Sequence, residues 1–123
     1  MSNCCIKIKD RFIGVNYPCY IIAEMSANHA GSLEKAIELV HAAKESGADC
    51  IKIQTYTPDT MTINSEKEYF QIKDGTWKGE NLYRLYKKAY TPWEWQKKLK
   101  EEAERTGIDF LSTPFDKSSV DFL

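Results

Sequence analysis

Hydrophobic and polar positions change period several times along the chain, and each change marks an element. Residues 5–16 (CIKIKDRFIGVN) carry two short alternating runs around Lys9-Asp10-Arg11, the pattern of a small β-hairpin. Tyr20-Ile21-Ile22-Ala23-Glu24 is a short apolar strand that ends abruptly in a charge. Leu33, Ala36, Ile37, Val40 and Ala43 then recur at helical spacing. Ser32 is the expected N-cap, Glu34 suits the first turn, and Gly47 supplies the stop. Cys50-Ile51-Lys52-Ile53-Gln54-Thr55 is a second strand, set about 30 residues after the first, the length of one βα repeat.

A polar segment with Pro58, Gly75 and Gly79 follows, longer than an ordinary βα connection and for that reason a candidate for function. Leu82, Leu85, Tyr86 and Ala89 share one face of a short helix. Thr91-Pro92-Trp93-Glu94 has the form of a capping box with proline at the first helical position. The helix it opens runs through Trp95, Leu99 and Ala103 to Gly107. Ile108 to Ser112 is the third strand, and Asp116 to Leu123 begins a third helix.

Strand and helix thus alternate three times, the signature of parallel strands joined by helical crossovers. The fold class expected is α/β, a TIM (β/α)8 barrel. Residues 1–123 would supply its first three βα units after a short N-terminal hairpin, with no second domain in this stretch. A whole barrel needs eight units and about 250 residues, so the expectation is of a barrel's opening part, with two open sheet edges.

Composition narrows the function classes. The chain is 42% hydrophobic and 28% charged, enough for a core and a solvated surface. A formal net charge of −1 leaves no electrostatic footprint for nucleic acid or an anionic membrane. No stretch reaches the roughly 20 apolar residues of a membrane helix, and the first residues lack a secretory signal's apolar core. Cys4, Cys5, Cys19 and Cys50 form no CxxC pair and suit reduced thiols in a cytoplasmic protein.

Side chains alternate along a strand, so Lys52 and Gln54 share one face while Ile51 and Ile53 share the other. A lysine inside a parallel strand is destabilising by several kcal/mol unless it meets an anion or a carboxylate. An inward position at the C-terminal mouth of a barrel resolves the conflict, because ligands bind there. Glu24 occupies the matching position on the first strand, and Ser112 and Thr113 are expected to bring hydroxyls to the same rim. The ammonium and hydroxyls suit a phosphate or carboxylate, while Glu24 suits proton transfer or a sugar hydroxyl. An ion pair between Glu24 and Lys52 that merely stabilises the rim is the alternative. Asn28, in a loop that reads either as a helix entry or as a ligand contact, joins the substrate-binding candidates, as does Trp77 in the long segment. His29, Trp93 and Trp95 read as structural, and His41 reads as a surface residue.

These motifs carry a resemblance. IIAEMSANHAG, GADCIKIQTYTPDTM and FLSTPFD together resemble the sialic-acid-synthase family of phosphoenolpyruvate-condensing enzymes. NLYRLYKKAYTPWEW and STPFDKSSVDFL are similar to the branch that uses sugars bearing two acetamido groups. The resemblance implies condensation of phosphoenolpyruvate with an open-chain hexose derivative to a nine-carbon acid. It implies Lys52 and Thr113 as phosphoenolpyruvate contacts, Glu24 and Gln54 as groups facing the sugar, and Glu24 as the proton-transfer candidate. It further implies a divalent metal, Mn2+ or similar, with no ligand in this chain, and a homodimer completed by a C-terminal domain. The usual NHNG segment is NHAG here, so Ala30 replaces an amide. Two rivals stay open: a sibling synthase acting on another amino sugar, and a non-catalytic barrel remnant serving binding or assembly. Residues 1–123 alone are expected to be inactive.

Overall fold

The computed structural model describes residues 5–123, so Cys4 lies outside the described residues. Two sheets are present among them. The first is an antiparallel pair, β1 (Cys5–Ile8) and β2 (Arg11–Gly14), in register from Cys5 opposite Gly14 to Ile8 opposite Arg11. The second is parallel, in the order β3 (Ile22–Glu24), β4 (Cys50–Thr55), β5 (Asp109–Pro114).

Helix α1 (Leu33–Glu45) follows β3 and begins where the sequence predicts, with the Ser32 hydroxyl accepting from the Lys35 N–H at 3.1 Å. It ends at Ser46 and Gly47, whose φ of +83° lets the chain reverse where a Cβ would strain it. Helix α4 (Trp93–Thr106) precedes β5 and packs beside α1 on the same sheet face. Ala36 and Val40 of α1, Leu99 and Ala103 of α4, and Ile51 and Ile53 of β4 form the buried core between them. Here i, i+3, i+4 spacing from the helices meets the period-2 spacing of the strand. His41 is not a bare surface residue: its Nε2 lies 2.5 Å from Glu102, tying α1 to α4.

Three details differ from expectation. β3 starts at Ile22 because Tyr20 and Ile21 are drawn into other bonds: the Tyr20 hydroxyl donates to Asp109 at 2.5 Å and the Ile21 N–H to the Asp49 carboxylate at 2.7 Å. β5 starts after Ile108, a core residue, and continues to Pro114, with Thr113 beside Gln54 and Pro114 beside Thr55. The capping box at Thr91 does not form. Pro92 is the N-cap and no side chain caps α4, because the Thr91 hydroxyl is buried against His29.

The long segment after β4 is built, not loose. It holds α2 (Pro58–Met61), a single 3-10 turn at Glu68–Phe70, and a bridge from Gln71 to Asn81. Asn81 is fully buried and serves both sides. Its Oδ1 accepts from the N–H groups of Tyr83 and Arg84, capping α3 (Leu82–Ala89), and its Nδ2 donates to the Ser65 carbonyl at 2.7 Å. A last helix, α5 (Lys117–Phe122), is capped by Asp116 through the Ser119 N–H.

The hairpin seals the N-terminal end of the parallel sheet. Lys9 pairs with Asp109 and Arg11 with Asp49, the residues at or just before the starts of β5 and β4. Lys9 and Tyr20 hold the Asp109 carboxyl below the usual carboxylate range, and the Ile21 N–H with Arg11 does the same for Asp49. Ile8 and Tyr20 cover the lower end of the helix-free sheet face, beside Cys50 and Ile22. Cys50 is buried there, whereas Cys5 and Cys19 are exposed, and all three are free thiols. No helix among the described residues is long and apolar enough to cross a membrane.

Candidate functional site

The upper half of the helix-free face carries a polar group, with Leu111 of β5 as the apolar neighbour beside Lys52. In register across it, Glu24 lies beside Lys52 and Gln54 beside Thr113. Glu24 Oε2 accepts from Lys52 Nζ at 2.7 Å, with side chains 40% and 30% exposed. Such partial exposure puts the pair nearer a surface ion pair, where the net stabilisation is about 0–1 kcal/mol, than a buried one. The two charges stay accessible to a ligand, and an arriving anion would compete with Glu24 for the ammonium.

Gln54 is steadied from above by Ser26, whose hydroxyl donates to Gln54 Oε1 at 3.4 Å. Ser26 holds a left-handed φ of +50° in the turn directly after β3. No pattern in the sequence singles Ser26 out, since the bond joins two strands' ends across 28 positions.

Ser112 does not join this group. Its hydroxyl lies 2.5 Å from the Thr55 hydroxyl, which in turn donates to Gln96 of α4 at 3.0 Å. These bonds fix Ser112 on the helix-covered face with Phe110, and alternation turns Thr113 the other way. Asn28 is engaged with its own loop, its Nδ2 donating to the Met25 carbonyl at 2.9 Å. Trp77 is 56% exposed and borders a concavity with Ala27, Ala30, Leu85, Lys88 and Ala89.

His29 is structural, as its surroundings require. It is fully buried, edge-on to Trp95 with ring centroids 5.5 Å apart. Nδ1 accepts from the Gly31 N–H at 3.1 Å, which leaves the proton on Nε2, 3.3 Å from the Thr91 hydroxyl. Burial lowers its pKa, so the neutral ring is favoured. Trp93 likewise packs, its Nε1 donating to the Tyr56 carbonyl and its ring against Phe122. Among the described residues no group of three His, Cys, Asp or Glu side chains is placed to hold a metal ion.

Residues 39–123 match the NeuB family. The chain belongs to the NeuB family. Over 104 residues it is 57% identical to a pseudaminic acid synthase of Campylobacter jejuni, covering 85% of this chain and 30% of that protein. Over 110 residues it is 43% identical to the N,N'-diacetyllegionaminic acid synthase of Legionella pneumophila, covering 89% and 31%. The chain thus spans about 30% of the length of the curated relatives it matches. Among solved structures it resembles the N-acetylneuraminic acid synthetase of Leptospira borgpetersenii, with a TM-score of 0.79 and 28% identity over 98% of this chain and 38% of that one. NeuB membership agrees with the α/β architecture and with the family that the motifs resemble.

Proposed function

We propose that this chain is the opening part of a TIM-barrel synthase that condenses phosphoenolpyruvate with a diacetamido-trideoxy-altrose and water, giving pseudaminate and phosphate. The observation that carries the reading is the accessible Glu24–Lys52 pair beside Gln54 on the helix-free sheet face. The higher identity to a pseudaminic than to a legionaminic acid synthase, 57% against 43%, supports the choice of sugar.

In this reading Lys52 neutralises the carboxylate or phosphate of phosphoenolpyruvate, and Thr113 hydrogen-bonds it. C3 of phosphoenolpyruvate attacks the sugar aldehyde, water adds at C2, and phosphate departs by cleavage of the C–O bond. Gln54 and Glu24 face the sugar, and Glu24 transfers a proton or positions the water. Fixed charges aimed at a trianionic substrate supply the electrostatic share of the catalysis. A divalent ion, Mn2+ or similar, and the remaining barrel strands come from residues beyond these, in a cytoplasmic homodimer.

The test is phosphate release by the longest polypeptide that the gene encodes, with phosphoenolpyruvate and each candidate sugar in turn. Turnover with the diacetamido-trideoxy-altrose supports the reading. Turnover with N-acetylmannosamine alone, or with the legionaminate precursor alone, assigns the chain to a sibling synthase instead.

A further inference from the structure

We infer that the concavity beside Trp77 takes one acetamido substituent of the sugar, so that Trp77 and Ala30 help select a diacetamido substrate. This inference rests on the synthase reading above and names a specificity subsite within it.

The concavity measures about 260 Å³ and is walled by Ala27, Ala30, Trp77, Leu85, Lys88 and Ala89. That is below the roughly 300–1,000 Å³ of a pocket for a whole small ligand, so it suits a substituent. Its walls are methyl groups, a leucine and an indole. The one charged side chain, Lys88, is occupied by Glu80 at 2.7 Å. An acetamido group matches this lining, with a methyl for the alanines and a flat amide for the indole face.

The chain links the concavity to the same site through Ser26 and Ala27. Ala27 and Ala30 lie in the loop after β3 and Trp77 in the segment after β4, so two of its walls follow the C-terminal ends of strands, and α3 supplies the third through Leu85, Lys88 and Ala89. Ser26, next to Ala27 in the chain, touches Gln54. Trp77 is exposed but held: the Glu80 N–H donates to the Trp77 carbonyl at 3.0 Å and the Gly79 N–H to the Ile72 carbonyl at 2.8 Å. A large aromatic side chain on a hydrogen-bonded turn and left out of the core has area free for a ligand.

Ala30 supplies the independent observation. Its φ is +50°, a left-handed conformation that asparagine, aspartate or glycine tolerate better than alanine. Its side chain is exposed and adds nothing to the core, so no packing offsets the strain. What alanine provides there is an apolar, shallow wall where asparagine would project an amide.

The test compares W77A, W77F and A30N with the parent in the longest polypeptide that the gene encodes, by steady-state phosphate release. Asparagine suits the backbone at position 30, so A30N keeps the loop conformation. W77A and A30N are expected to raise KM for the diacetamido sugar about tenfold, the scale of removing a small apolar interaction, with W77F retaining most of the affinity. KM for phosphoenolpyruvate is expected to stay within about twofold. An unmoved sugar KM in W77A and A30N overturns the subsite while leaving the synthase reading intact, as does an equal rise in both substrates' KM. No turnover of the diacetamido sugar by the parent overturns the synthase reading itself, and the subsite with it.

Discussion

Glu24 and Lys52 meet at 2.7 Å across β3 and β4, on the sheet face that no helix among the described residues covers. On the opposite face of β4, Ile51 and Ile53 are sealed in the core. One strand therefore divides its residues between a buried core and an accessible polar face by alternation alone, and on the proposed function substitutions on the two faces should read out differently.

On the synthase reading, and in the longest polypeptide that the gene encodes, Lys52→Ala should raise KM for phosphoenolpyruvate, by about 2–4 kcal/mol in affinity, the scale of deleting a charge-assisted hydrogen bond in a partly buried site. KM for the sugar should change far less. Initial-rate kinetics in both substrates decide it, and an unchanged phosphoenolpyruvate KM would reduce Lys52 to a rim ion pair.

Ser112→Ala should behave in the opposite sense. The bonds joining Ser112, Thr55 and Gln96 lie between sheet and α4, so losing the hydroxyl should lower stability by about 1 kcal/mol and leave both KM values alone. Denaturant unfolding set beside kinetics separates the two effects. A selective rise in phosphoenolpyruvate KM would return Ser112 to the substrate side.

His29 predicts a pH dependence of stability. Its folded pKa is lowered from 6.5 by burial, so its neutral form is the one the fold accepts. The contribution is fully present above pH 6.5 and is lost as pH falls from there through the lowered folded value. Thermal unfolding between about pH 7.5 and 5 should show a fall that His29→Gln flattens. Equal slopes in parent and variant would show that the ring is not the titrating group.

At lower pH a different set takes over. Asp49 and Asp109 both have folded pKa values below 3.8, so their stabilisation holds above that pH and disappears as pH drops through the lowered values. Asp109→Asn should lower the midpoint of thermal unfolding at neutral pH without altering either KM. It should also weaken the pH dependence of acid denaturation below pH 3.8, measured by circular dichroism.

Much of this is legible in the chain. The helical spacing from Leu33 to Ala43 behind Ser32, and the alternation in Cys50 to Thr55, are local signals, and α1 and β4 follow them closely. The pairing of Glu24 with Lys52 is legible too, because a charge inside a parallel strand demands a partner. Ser112 departs from expectation because β5 does not end there. The strand runs on to Pro114, and neighbours within a strand face opposite ways, so Ser112 and Thr113 part company. The missing cap at Thr91 and the shortened β3 share another cause. Thr91, Tyr20 and Ile21 spend their polar groups on His29, Asp109 and Asp49, partners 28 to 89 positions away that no local pattern announces.

The clasp at the bottom of the sheet also bears on the order of assembly. Lys9 and Asp109 are separated by 100 positions, so this arm of the clasp closes only when nearly all of these residues have been made, whereas Arg11 and Asp49 are 38 positions apart. Pairings of such long range close late, after local helices and the β3–β4 pairing have had time to form. During that interval the hairpin can already rest on the β3–β4 pair through Arg11 and Asp49, with Ile8 and Tyr20 against Ile22 and Cys50, and only the β5 side of the clasp stays open.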